Sequence, residues 1–247
     1  MLTIFTEILT DINFLDWNKS TMPDFNNPAI FLIHTDSYSE SEISSFQKSL
    51  SAQEQEKAAR FRFIKDQHSY IITHALLRKL LGNFLNSEPA SIEFISNEFG
   101  KPMVSHGNRK IHFNISHRCG LSTLAFSAKS EIGVDVEKID PEFDFDLIAK
   151  AHFSDAENRF IDEGKQESCK RFFTVWTRKE AILKAIGTGI GENLDVEVFR
   201  NVNYYHPEVP LPGIQKADYY LNTFEYQDKY MITTAGSTSE KFIAVII

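Results

Sequence analysis

A chain of 247 residues, 42% apolar and 24% charged, is long enough for one large domain or two small ones and has the composition of a globular protein, not a disordered or fibrous one. Its formal charge of −8 argues against a general nucleic-acid binder, and its two cysteines, Cys119 and Cys169, have no metal or redox spacing; they exclude a disulfide framework, point to a reducing compartment and are each expected as small core residues. The N-terminus lacks a signal-peptide pattern and no apolar run reaches the length of a membrane span, so a cytoplasmic protein without a membrane partner is expected.

The first clear element is the apolar run Ala29–His34, which reads as a strand. After a polar loop, Ser51-Ala-Gln-Glu54 has the form of a capping box and opens a helix. A second helix is predicted from about Asp66 to Leu81, with Gly82 as its C-cap. Across these helices Lys57, Arg60, Arg62, Lys65, Arg78 and Lys79 face one anion, Asp66, a local basic patch that would attract phosphates; an isolated run of this kind is as often a solvated helix surface. Strands follow at 91–96, 111–116, 121–126 and 131–137, then a loop with Phe143, Phe145 and Leu147. A second capping box, Ser154-Asp-Ala-Glu157, opens a helix, a longer helix through Trp176 ends at Gly187, and strands are predicted at 196–199, 217–224, 230–234 and 242–247, with Pro207, Pro210 and Pro212 in a surface loop.

Strand, capping box, two helices and further strands thus occur twice. The pattern predicts an α+β fold of two similar subdomains related by a pseudo-twofold axis, each a small mixed sheet packed with helices, divided into residues 1–120 and 121–247. A cleft between two halves is a favoured place for a ligand, and an internally duplicated chain is expected to be a monomer.

Two segments break the packing pattern with charge. In Glu131-Ile-Gly-Val-Asp-Val-Glu137, Ile132, Val134 and Val136 alternate with Gly133, Asp135 and Glu137, so the two carboxylates share a face about 7 Å apart along a strand. They repel unless a cation lies between them, and oxygen ligands of this kind suit Mg²⁺. On its own the pattern reads more readily as the polar outer face of an edge strand. In the helix through 172–186, Phe172, Val175, Trp176, Ile182, Leu183 and Ile186 fall on one broad arc, yet Lys179 projects from its middle, Glu180 lies between Trp176 and Phe173, and Lys184 follows at the edge. Glu180 and Lys184 also form an ordinary i,i+4 pair, and Lys179 would snorkel if exposed. A helix built only to pack would keep these positions apolar.

Gly133-Val-Asp-Val-Glu137 and Trp176-Thr-Arg-Lys-Glu-Ala-Ile-Leu-Lys184, preceded by Gly100-Lys-Pro102 and Phe113-Asn-Ile-Ser-His117, resemble the signature of the 4′-phosphopantetheinyl transferases, and the length resembles the long, surfactin-synthetase-activating class. The resemblance implies transfer of 4′-phosphopantetheine from coenzyme A to a serine of an acyl or peptidyl carrier protein. It implies Mg²⁺, or Mn²⁺ in its place, held by Asp135, Glu137 and Glu180, with Lys184 on the same phosphate oxygens and Asp135, Glu180 and Lys184 as the catalytic group. Glu180 is the candidate base; whether it takes the serine proton itself or orients a metal-bound water stays open, because a bound cation depresses a carboxylate's pKa. Lys57, Arg60, Lys65 and His117 match the region that grips the coenzyme A 3′-phosphate, with Ser116 beside it; Gly100, Lys101 and Pro102 match the adenine-side loop, and Lys179 is included among the coenzyme A contacts. Glu54 and Tyr70 depart from the family pattern, where a cation and a small hydroxyl residue are expected.

The aromatic loop at 143–147 is the expected carrier contact. The competing reading is a non-catalytic coenzyme A or carrier-binding protein of the same fold, disfavoured because all three candidate ligands and Lys184 are present. There is no G-x-S-x-G elbow around Ser116 and no nucleotide-triphosphate motif, and Gly187-Thr-Gly-Ile-Gly191 follows a helix and so reads as a turn. Among the other histidines, His68 and His74 are expected to face solvent.

Overall fold

The computed structural model describes residues 2–19, 22–104, 110–163, 167–188, 197–204 and 217–247. In chain order its elements are β1 (Leu2–Ile8), β2 (Phe14–Asp16), β3 (Ala29–His34), α1 (Glu40–Gln47), α2 (Ala52–Ala59), α3 (Ile64–Leu85), β4 (Phe94–Ser96), β5 (Pro102–Val104), β6 (His112–Arg118), β7 (Leu121–Ser127) and β8 (Ile132–Lys138). They continue with α4 (Asp146–His152), α5 (Asp155–Asp162), α6 (Ser168–Ile186), β9 (Val202–Tyr204), β10 (Ala217–Tyr226), β11 (Tyr230–Gly236) and β12 (Ile243–Ile246).

The strands form two mixed sheets, ordered β2-β12-β3-β7-β6 and β8-β11-β10-β1-β9, and β4 and β5 make a separate hairpin. Sheet membership does not follow a division at residue 120. The first strand, β1, runs parallel to β10 in the second sheet, the last strand, β12, runs parallel between β2 and β3 in the first, and β7 stays with the first sheet.

Alternation along the strands builds a four-layer stack of helix, sheet, sheet and helix. In β3, Ala29, Phe31 and Ile33 face α3 and its Ile72, Leu76 and Leu80, whereas Ile30 and Leu32 face the other sheet. In β8, Ile132, Val134 and Val136 join that inter-sheet core with Tyr230 and Ile232 of β11, while Met231 and Ala235 of β11 turn outward to α6. The apolar arc of α6 covers the second sheet with Val175, Ile182 and Leu183.

Both capping boxes form: the side chains of Ser51 and Ser154 accept from the backbone N–H of Glu54 and Glu157, which reach back to the cap residues. Gly187 ends α6 in the left-handed region at φ 84°, as expected. Gly82, expected as a cap, instead lies inside α3, which runs on to Leu85 and is capped by Asn86 at φ 54°. Phe84 and Leu85 pack on the first core and carry the helix past the glycine, and a Cβ at Gly82 would lie 2.7 Å from the Ser87 carbonyl oxygen, so the glycine serves close packing of the chain that follows. Helices α1 and α4 occupy stretches that read as loops, and β1 was not legible as a strand. Residues 197–200 are not a strand; Val196 and the proline loop lie outside the described residues, as do Gly189 and Gly191. Neither cysteine is a core residue: Cys119 is exposed at the β6–β7 turn with φ 46°, and Cys169 is half-buried, its thiol 3.2 Å from the Asp140 carbonyl oxygen.

Candidate functional site

The two sheets meet at β6 and β8, an edge strand of each, and alternate side chains of β6 take the place of a backbone ladder. Asn114 Oδ1 accepts from the Val134 N–H at 3.0 Å, Ser116 Oγ accepts from the Val136 N–H at 3.3 Å, and Arg118 Nε lies 2.9 Å from Glu137 Oε2. The Val134 and Val136 N–H groups of β8 are thereby satisfied, and the seam acquires polar groups no continuous sheet would have.

Helix α6 covers β8 with unusually close contact. A Cβ at Gly133 would lie 2.0 Å from the Ala181 carbonyl oxygen and 2.5 Å from the Ala185 nitrogen, so the helix backbone rests directly on the strand at that residue. Glu180 and Lys184, each one residue before those contacts, are brought down beside Asp135. Lys184 Nζ donates to Asp135 Oδ1 at 2.6 Å, Ser116 Oγ donates to the same oxygen at 2.9 Å, and Lys184 lies 3.1 Å from Ser116 Oγ. Asp135 and Glu180 are both buried, and Asp135 Oδ2 and Glu180 Oε1 have no hydrogen-bond partner among the described residues.

Electrostatics follow from this burial. Desolvation, and then repulsion from Asp135 and Glu137 that outweighs the attraction of Lys184, push the Glu180 carboxyl up to about 7. Burial also raises Glu137; Arg118 opposes the rise, Asp135 adds to it, and Lys184 and the Trp176 indole N–H oppose it. Three carboxylates thus face one another with too few cations among them, the condition under which a divalent ion is favourable. Among the described residues no three His, Cys, Asp or Glu side chains are already gathered into a metal cage. Mg²⁺ does not require one, since it is commonly held by one or two carboxylates, waters and substrate phosphates. The two orphaned oxygens and the all-oxygen donor set therefore fit such an ion.

The remaining candidates separate into two groups. A cleft of about 450 Å³ beside the seam is lined by Lys65, Tyr70, His74, His117 and Arg118 and adjoins a second of about 530 Å³, lined by Glu54, Arg78 and Pro102, that shares His74 and Ile115 with it. His117 is exposed, yet its pKa is lowered, first by the crowding of its surroundings and then by the Lys184 ammonium. Lys57 lies over the Tyr70 ring at 5.3 Å, Arg60 pairs with Glu56, and Lys65 pairs with Asp36 at 3.1 Å. These are surface cations beside a cleft.

Lys179 and Lys101 are placed differently. The Lys179 ammonium is buried 2.9 Å from Glu157 Oε2, behind the site; Glu157 in turn accepts from the Ser154 and Val198 N–H groups. Lys101 follows Gly100, which turns the β4–β5 hairpin at φ 84°, and donates to Glu131 at 2.6 Å and to the Ala185 carbonyl at 2.9 Å. Asn97 of the same hairpin donates to the Gly187 carbonyl at 2.8 Å. The Gly100–Pro102 segment thus clamps the C-terminus of α6, where cations and donors satisfy the last carbonyls.

Glu54 is likewise structural. Burial pushes its carboxyl up, but His74, the Ser51 N–H and Arg78, whose Nε lies 2.7 Å away, outweigh that and hold it down at about 2. His74, expected in solvent, is half-buried and stacked on Tyr70 at 4.0 Å, and burial followed by the Glu54 charge pushes the Tyr70 hydroxyl up to about 12. Phe143 and Phe145 lie against Phe172, Phe145 stacked on it at 4.8 Å, and so anchor their loop, while Leu147 remains exposed. Arg118 was not singled out from sequence, although the alternation Asn114, Ser116, Arg118 on one face of a strand was there to be read.

A family model for the 4′-phosphopantetheinyl transferase superfamily matches residues 131–235, which hold Asp135, Glu137, Glu180 and Lys184, and a model for the N-terminal part of 4′-phosphopantetheinyl transferases matches residues 37–129. The chain is 33% identical over 165 residues to the 4′-phosphopantetheinyl transferase HetI of Nostoc sp., covering 64% of this chain and 68% of that one. It is 28% identical over 201 residues to the 4′-phosphopantetheinyl transferase Sfp of Bacillus subtilis (81% and 87% covered), and 36% identical over 142 residues to the 4′-phosphopantetheinyl transferase gsp of Aneurinibacillus migulanus (57% of each).

Proposed function

The chain belongs to the 4′-phosphopantetheinyl transferase superfamily, and we propose that it transfers the 4′-phosphopantetheine group of coenzyme A to a serine hydroxyl of an acyl or peptidyl carrier protein. The observation that carries this reading is the seam itself. Asp135, Glu137 and Glu180 come together there, Asp135 Oδ2 and Glu180 Oε1 are buried with no hydrogen-bond partner among the described residues, and Lys184 lies 2.6 Å from Asp135 Oδ1.

In the reaction the serine oxygen forms a bond to the phosphorus nearest the pantetheine arm, the bond from that phosphorus to the bridging oxygen breaks, and adenosine 3′,5′-bisphosphate leaves. Such a step depends mainly on positioning and on neutralising charge at the phosphate oxygens. Glu180 is the candidate base for the serine proton; its carboxyl stands at about 7 with no cation bound, and a cation held there would lower it. Lys184 supplies positive charge to the oxygens on which negative charge develops, and Ser116, buried behind Asp135, orients that carboxylate through its hydrogen bond. A divalent cation, Mg²⁺ or Mn²⁺, held by Asp135, Glu137 and Glu180 would supply Lewis-acid neutralisation of the pyrophosphate.

Coenzyme A is assigned to the joined clefts along α3. Lys57, Arg60, Lys65 and His117 are the groups for its 3′-phosphate; the surface pairs that Arg60 and Lys65 now make are worth little and exchange readily for a phosphate. The Gly100–Pro102 backbone offers the adenine side, whereas the ammonium groups of Lys101 and Lys179 are committed to α6 and Glu157. In this division of labour the first half of the chain grips the nucleotide and the second performs the transfer, in a cytoplasmic monomer. The non-catalytic alternative is disfavoured, because a degenerate relative is expected to have lost some of these groups, and Asp135, Glu137, Glu180 and Lys184 are all present.

The test is the intact mass of an apo carrier protein incubated with this protein, coenzyme A and Mg²⁺. A gain of one phosphopantetheine, lost when Mg²⁺ is removed or in Glu180→Gln, is the expected result. Coenzyme A binding without any mass gain across several carriers would replace the enzyme by the binding protein.

A further inference from the structure

We propose that Arg118 is a resident counter-ion of the cation site: it holds Glu137 while no divalent cation is bound, gives it up on loading, and so weakens cation binding. The proposal rests on the reading that Asp135, Glu137 and Glu180 take a divalent cation.

Arg118 is placed by construction. It is the third residue in the run Asn114, Ser116, Arg118, whose side chains reach across the seam to β8, and its guanidinium meets Glu137 at the level this two-residue rhythm sets. The turn beyond it is clamped on two sides: the Tyr230 hydroxyl donates to the Cys119 carbonyl at 2.8 Å, and the Thr35 N–H donates to the Gly120 carbonyl at 3.0 Å. Gly120 at φ 89° also lies so close to Asp36 that a Cβ there would be 2.4 Å from its Oδ2. The strand end that carries Arg118 therefore has little freedom to drift, and the side chain moves while its root does not.

The guanidinium is half-exposed, at 53%, whereas Glu137 is at 19%. Arg118 lines both the 450 Å³ cleft with His117 and a 310 Å³ cleft with Glu137, Phe143 and Trp176. It thus has open space on either side into which it can swing without uncovering core. A divalent ion beside Glu137 would repel this guanidinium and compete for the same carboxylate, so the two cations exclude each other there. Asp135 Oδ1 is similarly engaged by Lys184, which leaves Glu137 as the carboxylate whose counter-ion is able to leave toward solvent.

The experiment is Mn²⁺ binding in the absence of coenzyme A, measured by calorimetry and by the fluorescence of Trp176 in a Trp17→Phe background, since the Trp176 indole bonds to Glu137. Arg118→Ala and Arg118→Gln are expected to bind Mn²⁺ roughly fivefold more tightly, the effect of removing a partly exposed competing pair, and Arg118→Lys to stay near the unaltered protein. Glu137→Gln is expected to weaken binding and to abolish the gain from Arg118→Ala. Unchanged or weaker binding in both Arg118→Ala and Arg118→Gln, with Glu137→Gln still weakening it, overturns the role of Arg118 alone. Absence of Mn²⁺ binding, or indifference to both Glu137→Gln and Glu180→Gln, overturns the cation reading and the proposal with it.

Discussion

Helix α3 on β3 and helix α6 on β8 are two copies of one plan with opposite contents. In the first, Ala29, Phe31 and Ile33 meet Ile72, Leu76 and Leu80, an apolar interface throughout. In the second, Gly133 lets the helix backbone down onto the strand, and Asp135 and Glu137 meet Glu180 and Lys184. Each half also ties the glutamate of its capping box to a cation of its long helix, Glu54 to Arg78 and Glu157 to Lys179. The difference is one of satisfaction. Glu54 is surrounded by donors and held down at about 2, whereas Glu180 is buried among carboxylates and pushed up to about 7. A buried carboxylate with all its partners is structure; one short of partners is a candidate site.

The comparison breaks most visibly at Glu180. Glu180→Gln is expected to lower the rate of carrier modification by about 10²–10⁴-fold, the range for loss of a positioned base, and a loss below tenfold would remove Glu180 from that role. The buried pairs should instead affect folding in both halves alike. Lys179→Met and Arg78→Met each strand a buried carboxylate and are expected to cost about 3–5 kcal/mol in urea unfolding; a large loss in one half only would end the parallel.

Stability against pH separates the two glutamates in sign. Glu180 has a folded pKa above its ordinary 4.5, so the folded protein holds the proton more tightly; ionisation costs nothing below pH 4.5 and about 3 kcal/mol once the pH has risen through 7. In chelator, Glu180→Gln should therefore gain stability over the unaltered protein between pH 5 and 8. Glu54 runs the other way: with its folded pKa at about 2, it contributes about 3 kcal/mol above pH 4.5, lost as the pH falls toward 2. Parallel curves for the unaltered protein and Glu180→Gln over pH 5 to 8 would show that Glu180 is not desolvated. A smaller effect is expected at the contact that makes the halves differ: Gly133→Ala forces α6 off β8 and should cost about 1–3 kcal/mol, read as a lowered Tm.

Much of this was legible in the chain. The two capping boxes, the period-two alternation of β8 and the charged interruptions of α6 are local patterns, and each occurs where its residues predicted. Helices α1 and α4 were not, although α1 opens on a capping box of its own, Ser39 with Glu42; both are short and bury one residue each, Ile43 and Ala149. Nor was the engagement of Lys101 with the end of α6, which joins residues far apart in sequence.

By itself the sequence determined the duplicated α+β plan, the strand that aligns Asp135 with Glu137 and the helix that carries Glu180 and Lys184, since periodicity and capping depend on neighbours within a few residues. Only the tertiary structure decided that β1 and β12 cross between the sheets and that β6 and β8 meet edge to edge. It also decided that Lys179 is consumed by Glu157 while Arg118 reaches Glu137. Those outcomes depend on which edges and charges become neighbours once water is excluded, and a charge finds its partner only after the chain has folded around it.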